Sequence, residues 1–240
     1  MTDITTPEWL DSPLGEALLD RETHAVAEAL QQVFGLSLLQ VGCWGAADSF
    51  VAHARTRHAA LVAARPGPGV DCVAEPTHLG IASDSVDAVL LPHTLELHRE
   101  PHKVLREASR VLVGDGHLVI VGFNPWSPFG LRRLLARRRF PRETRRLIGE
   151  KRLRDWMSLL GFEICAVDST AFLVPVNRVA VQSRMPRVED WIARYLTPFA
   201  GVYVITAQKR VYGATPLRPA WSRKPRVAAG LVEPTTRSAA

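Results

Sequence analysis

The stretch from Asp84 to Ser127 constrains the fold more than any other part of the chain. Val86 to Leu91 is a nearly continuous apolar run with the length of a buried strand. A helix is predicted from Pro101 to Val113, because proline suits a first helical turn and apolar residues recur there at helical spacing. Glycines at 114 and 116 end that helix, and His117 to Val121 is a second apolar run. The succession predicts a βαβ unit, whose two parallel strands are buried on both faces.

This unit also predicts where a ligand would bind. Open parallel sheets bind ligands outside the carboxyl ends of their strands. Pro92, His93 and Thr94 follow the first strand of the unit, and Asn124 and Pro125 follow the second. We therefore expect both turns at the functional edge of the sheet.

Composition narrows the class of protein. A hydrophobic content of 47% and a charged content of 22% are ordinary for a globular chain. Cys43, Cys72 and Cys165 lie far apart, which argues against a disulfide framework or a zinc site. The first residues lack the basic and apolar regions of a secretory signal, and no apolar run approaches the ~20 residues that span a bilayer. These features predict a cytoplasmic protein without a membrane span.

The net charge of +6 is unevenly distributed. Residues 132–154 contain eleven Lys and Arg against two Glu, and residues 208–240 contain seven against one Glu. The remainder of the chain is therefore acidic. Basic segments of this kind attract phosphate backbones or anionic lipid surfaces, or they form solvated faces. No base-reading motif accompanies the charge, so nucleic acid is a possible partner but not the favoured one.

The central stretch resembles a known family. The residues SDSVDAVLLPHTLEL, followed by PHKVLREASRVLVGDGHLVIVGFNPWS, are similar to the middle of class I S-adenosylmethionine-dependent methyltransferases. The resemblance is best from Val73 to Arg133 and weaker from Leu36 to Lys209. It implies an α/β fold with a Rossmann-like, seven-stranded, mostly parallel sheet, helices on both faces and an antiparallel last strand.

That fold assigns the rest of the chain. One domain is expected over residues 12–210, between a flexible N-terminus (1–11) and a basic, disordered tail (211–240). The further strands are predicted at 36–41, 59–64, 70–74, 162–167 and 201–208. The further helices are predicted at 12–34, 46–57, 128–140, 150–160 and 188–196.

The resemblance implies S-adenosylmethionine as the cofactor, held at the turn after the first strand. The family pattern there is an acidic residue followed by G-x-G-x-G, and this chain has LLQVGCWGA. Gly42 keeps the first glycine, Trp44 replaces the second, and Gly45 lies one position late. Gln40 replaces the acid and Ala46 the third glycine. Gly42, Trp44 and Gly45 are candidate cofactor-binding residues, with Trp44 alternatively pointing into the core.

Four more residues complete the candidate site. Arg65 follows the second strand, where the family has an acid for the ribose hydroxyls, and it is either a ribose or carboxylate donor or a surface arginine. Glu75 matches the acid that accepts a hydrogen bond from the adenine amine, or it is an exposed turn residue. Pro92 and His93 fall at the turn that lines the pocket beside the reactive methyl group. His93 is a candidate general base, with packing of the turn as the alternative.

Two other interpretations of these turns are weaker. His93, Glu96, His98 and His102 invite a metal site, but their spacing matches no established metal motif, so none is predicted. The residues Asn124-Pro-Trp126 resemble the motif of enzymes that methylate planar amines, but they follow the fifth strand instead of the fourth. Methylation of an amine is therefore not inferred.

The leading hypothesis is a methyltransferase that uses S-adenosylmethionine on an unidentified acceptor, with a small molecule favoured. The second hypothesis is a catalytically inactive binding or regulatory protein on the same scaffold, because four positions expected to contact the cofactor are altered: Gln40, Trp44, Ala46 and Arg65. A nicotinamide dehydrogenase is a poorer third, because the first turn lacks G-x-G-x-x-G. The oligomeric state and the acceptor are not indicated.

Overall fold

A seven-stranded sheet organises the computed structural model, which describes residues 7–135, 144–170 and 200–211. The strands are β1 (Ser37–Val41), β2 (His58–Ala63), β3 (Cys72–Val73), β4 (Val86–Pro92), β5 (Leu112–Phe123), β6 (Phe162–Thr170) and β7 (Val202–Lys209). The helices are α1 (Pro13–Leu30), α2 (Thr94–Leu97), α3 (Pro101–Val111), α4 (Pro128–Leu135) and α5 (Glu150–Leu159).

The strand order across the sheet is β3-β2-β1-β4-β5-β7-β6. The strands from β3 to β5 run parallel to their neighbours, and β7 is antiparallel to both β5 and β6. The predicted Rossmann-like sheet, mostly parallel with an antiparallel last strand, is confirmed. The carboxyl ends of β1 to β4 consequently meet at one edge.

Each face of the sheet is covered by a separate apolar cluster. On one face, α1 packs with Trp44, Phe50 and Phe129. On the other face, the buried sides of α3 and α5 pack against β4, β5 and β7. Helix α1 starts as its sequence predicts, because the Ser12 side chain accepts a hydrogen bond from the Gly15 amide at 3.3 Å and Pro13 occupies the first turn.

Several elements differ from the sequence prediction. The helix expected at 46–57 is reduced to a 3-10 turn at Val51–His53, because only Phe50 in this segment is fully buried and a short helix needs tertiary contacts to form. The expected loose N-terminus includes a 3-10 turn at Glu8–Asp11, which is anchored by the buried side chain of Leu10. Strand β5 is longer than predicted at both ends.

Three predictions fall partly or wholly outside the described residues. They are the second half of the helix at 128–140, the helix at 188–196 and the tail from 212 onward. None of the described helices is long and apolar enough to cross a membrane.

Candidate functional site

The turn after β1 approaches the turn after β4 closely. Gly42 and Gly45 both have left-handed backbone, with φ of 101° and 72°. A Cβ atom added to Gly42 would lie 2.7 Å from the Thr94 hydroxyl oxygen, which donates a hydrogen bond to the Val41 carbonyl. Glycine is therefore favoured at position 42 for two reasons: the backbone is left-handed, and the Thr94 hydroxyl leaves no room for a Cβ atom.

Gln40 is fully buried at the end of β1 and has one unused acceptor. Its amide nitrogen donates to the Gly42 carbonyl at 3.1 Å. Its side-chain oxygen has no hydrogen-bond partner among the described residues. A buried acceptor without a hydrogen bond destabilises a protein. A donor group on a ligand bound at the glycine turn would satisfy this oxygen. This observation fits a cofactor that carries an amino group.

Trp44 turns away from the edge of the sheet and into the core. Its side chain is 1% exposed, and its indole nitrogen donates to Glu22 Oε2 at 2.7 Å. Its ring lies 6.0 Å from Trp9 and 5.9 Å from Phe123, both in edge-to-face contact. The side chain therefore belongs to the core on the α1 side, and only the main chain of Trp44 is left at the turn.

A buried cluster of Glu22, His93 and Glu96 connects α1 to the functional edge. Glu22 Oε1 lies 2.9 Å from His93 Nε2, and Glu96 Oε2 lies 3.0 Å from His93 Nδ1. All three side chains are 2% exposed or less. Only the imidazolium form of histidine can donate a hydrogen bond from both ring nitrogens at once.

The electrostatics favour that charged form. Burial alone would lower the pKa of His93, but the charge of Glu22 and the hydrogen bonds to Glu22 and Glu96 raise it to about 9. Burial raises the pKa of Glu96, while its bonds to His93, Phe123 and Ile148 act in the opposite direction. His93 is therefore protonated at neutral pH and has no free lone pair. This state fits a group that packs and fixes the turn better than it fits the expected general base.

The backbone and the neighbouring rings hold His93 in place. Its φ is 53°, which is unusual for a residue other than glycine and costs on the order of 1–3 kcal/mol. The imidazole packs against the rings of both Trp44 and Phe123, with ring centroids 4.1 and 4.2 Å away. The contacts with the two carboxylates and the two aromatic rings together stabilise this conformation.

Glu96 extends the cluster to two further segments. Its carboxylate accepts hydrogen bonds from the amide of Phe123 at 3.1 Å and from the amide of Ile148 at 3.4 Å. Its own carbonyl accepts from the amides of Arg145 and Arg146 at 2.9 and 3.4 Å. One side chain thus joins the turn after β4, the end of β5 and the segment that leads into α5.

The other candidate residues lie around the same edge. Arg65 is half-buried just after β2, and Pro92 is buried as the last residue of β4. Glu75 follows β3 with its side chain 55% exposed, and its carboxylate lies 3.8 Å from His98 Nε2. The structure brings Gly42, Arg65, Glu75 and His93 to the ends of four adjacent strands. The Trp44 side chain does not lie at this edge but in the core on the α1 side.

The three histidines between residues 93 and 102 face different partners. His98 Nδ1 accepts from the Glu100 amide at 3.0 Å, and the His102 ring lies 3.7 Å from the Trp156 ring. Within the described residues, no three His, Cys, Asp or Glu side chains are grouped as metal ligands.

Sequence reasoning missed Glu22 as a site residue, although a signal was present. Glu22 lies four residues after Leu18 and seven before Ala29, on the buried face of α1. A carboxylate on an apolar helix face requires a buried partner.

Comparisons with known proteins agree with this architecture. A family model described as a methyltransferase domain matches residues 25–120. An uncharacterized protein of Escherichia coli, YafS, is 40% identical over 164 residues, which are 67% of each chain.

Two solved structures resemble the fold. A chain from a complex between the Haloferax volcanii Trm112 methyltransferase activator and a methyltransferase superposes with a TM-score of 0.60 and 16% identity, over 85% of this chain and 96% of that one. An S-adenosylmethionine-dependent methyltransferase from Archaeoglobus fulgidus superposes with a TM-score of 0.57 and 15% identity, over 81% and 94%.

Proposed function

Because the chain belongs to the class I S-adenosylmethionine-dependent methyltransferases, we propose that it transfers a methyl group from S-adenosylmethionine to an acceptor. The observation that carries the proposal is the turn after β1. It keeps Gly42 and Gly45 in left-handed conformations and places the Trp44 indole in the core. It also leaves the Gln40 side-chain oxygen without a hydrogen-bond partner in the described part of the chain. The altered glycine pattern is therefore compatible with a ligand at this turn.

Three residues of the chain would hold the cofactor. The main chain at Gly42 and the Gln40 side-chain oxygen would receive its amino-acid part, and the Glu75 carboxylate would accept from the adenine amine. When bound, the cofactor supplies an electrophilic methyl group on a sulfonium ion.

The protein's own contribution is then to orient the acceptor. The Glu22–His93–Glu96 cluster fixes the turn after β4 relative to the end of β5. An acceptor would lie beside these two segments. A turn held in one geometry reduces the entropy lost on reaching an in-line arrangement. His93 acts here as a positioning residue, because both of its ring nitrogens are engaged with carboxylates.

The direct test is a calorimetric titration of S-adenosylmethionine and its demethylated product into the full chain. Micromolar binding is expected, with at least tenfold weaker binding, or about 1.4 kcal/mol, for Glu75→Ala. Glu163→Ala, which removes an exposed carboxylate on β6, is the matched control and should bind normally. No heat at millimolar ligand would overturn the proposal, and unchanged affinity in Glu75→Ala would remove Glu75 from the site.

One observation favours a second function, a binding protein without turnover. The residue expected to be the general base is buried as an imidazolium, which suits a scaffold that has lost proton-transfer chemistry. Binding of the cofactor without methyl transfer to any acceptor in a radiolabel screen would support this alternative. Methyl transfer to any acceptor would exclude it.

A further inference from the structure

Exposed basic residues lie on α3, on α5 and in the segment at 145–146 that contacts the functional edge. We call this set the basic seam and define it by Arg99, His102, Arg106, Arg145, Arg146 and Arg152, with Trp156 among them. We infer that the basic seam binds the phosphate backbone of a single-stranded nucleic acid.

Direct contacts join these residues in two groups, which the chain connects between Arg99 and His102. The His102 ring on α3 lies 3.7 Å from the Trp156 ring on α5, and the Arg152 guanidinium lies 5.6 Å from that same ring. Arg106 follows His102 by one helical turn, or about 6 Å along the helix axis. At the upper end, the Arg146 side chain donates to the Arg99 carbonyl at 2.9 Å.

The seam's cations have no acidic partners among the described residues. Three neighbouring cations are paired with carboxylates, in the pairs Lys103–Glu100, Arg110–Glu107 and Arg154–Glu150. Arg99, Arg106 and Arg152 are exposed, and no described carboxylate lies within ion-pair distance of them. Unpaired guanidinium groups suit successive phosphates, to which they bind by two hydrogen bonds each.

The geometry favours a nucleic acid over a lipid surface. A helix that lies in a membrane interface turns its apolar face toward the lipid. Most apolar residues of α3 and α5 are instead buried against the sheet, as the side chains of Val104, Leu105, Leu153 and Met157 are. Leu159, the last residue of α5, is the exception and is 86% exposed. The residues that remain outside are mostly charged or polar, and they carry the half-buried ring of Trp156. Guanidinium groups beside an aromatic ring are typical of single-strand binding surfaces.

The seam also meets the candidate active site. The amides of Arg145 and Arg146 donate to the Glu96 carbonyl, and the Glu96 side chain contacts His93. A strand lying along the seam would therefore pass the carboxyl edge of β4 and β5. Binding of the strand to the seam is independent of the proposed function. A role of the strand as methyl acceptor would rest on that function.

The test measures fluorescence anisotropy of short single-stranded RNA and DNA of one sequence, titrated with the full chain. The seam variant is Arg106→Glu/Arg152→Glu. The matched control is Arg55→Glu/Arg57→Glu, which makes the same charge change in exposed residues at the opposite edge of the sheet, before β2. We expect about tenfold or greater loss of affinity in the seam variant and less than about threefold loss in the control.

Salt dependence gives a second readout. Between about 50 and 200 mM salt, the slope of log affinity against log salt should become shallower by about 1.4 in the seam variant, since each single-strand phosphate contact contributes about 0.7. Equal losses in both variants, or no loss in the seam variant, would overturn the inference. Binding to phosphatidylserine vesicles without binding to either oligonucleotide would overturn it in favour of a membrane surface.

The cofactor titration separates this inference from the proposed function. The seam variant should bind S-adenosylmethionine as the natural protein does, because none of its changed residues lies at the turns after β1 and β3. If the protein binds the oligonucleotides through the seam but does not bind the cofactor, this inference holds and the proposed function is wrong.

Discussion

The Nε2 atom of His93 lies 2.9 Å from Oε1 of Glu22, although 71 residues separate the two in the chain. This contact ties the middle of α1 to the turn that follows β4. Neither residue is exposed by more than 1%. The pair therefore determines both the charge state of the turn and part of the stability of the fold, and these effects can be measured separately.

Glu22→Gln should destabilise the protein strongly. The change removes one of the two carboxylates that hold the buried imidazolium of His93, and loss of a buried charge partner costs about 3 kcal/mol of unfolding free energy. Urea unfolding followed by circular dichroism measures this loss. Glu28→Gln in the same helix is the control, because Glu28 is 60% exposed, and it should change stability by less than about 0.5 kcal/mol. Equal stabilities of the two variants would show that the buried pair contributes nothing.

The stability of the natural protein should fall between pH 7 and pH 9.5. The pKa of His93 is raised from its ordinary value of 6.5 to about 9, so its protonation stabilises the fold fully below about pH 6.5. That contribution, about 3 kcal/mol, is lost as the pH rises through about 9. Urea unfolding at a series of pH values checks the slope. Glu22→Gln should flatten it, because the charge that raises the His93 pKa is gone, and an unchanged slope would contradict the assignment.

Trp44→Phe should weaken the fold without weakening cofactor binding. The change keeps an aromatic ring in the core but leaves Glu22 Oε2 without its donor, which costs about 1–3 kcal/mol. Unfolding measurements give the loss of stability, and titration with S-adenosylmethionine should give an affinity within about twofold of the natural protein, a difference of about 0.4 kcal/mol. A large loss of affinity at unchanged stability would instead place the indole against the cofactor.

Gly42→Ala should cost more stability than Gly80→Ala. Both glycines have positive φ, of 101° and 68°. A Cβ atom on Gly42 would also meet the Thr94 hydroxyl at 2.7 Å, whereas one on Gly80 would meet no atom of a described residue within 4 Å. The difference between the variants isolates the contact between the two turns, and we expect about 1–3 kcal/mol for it in urea unfolding. Equal losses would mean that backbone strain accounts for the whole effect.

Local sequence patterns predicted most of the sheet. The apolar runs of β4 and β5 and the spacing of Val104, Leu105 and Ala108 in α3 each depend on neighbouring residues, so they can be recognised without the rest of the chain. The same patterns, extended by the family resemblance, placed Gly42, Arg65, Glu75 and His93 at one edge, where the structure has them. The short helix after Gly45 was not foreseen as a 3-10 turn, because its length depends on tertiary contacts.

The sequence by itself determined which segments become strands and which turns follow them, because period and turn chemistry are local properties of the chain. Only the tertiary structure decided what His93 is. Whether an imidazole is a neutral base or a fixed cation depends on the groups within a few ångströms of it. Here one of those groups comes from α1, 71 positions earlier. The same holds for Trp44. From the sequence its side chain could face the turn or the core, and the structure places it in the core, where its indole nitrogen donates to Glu22.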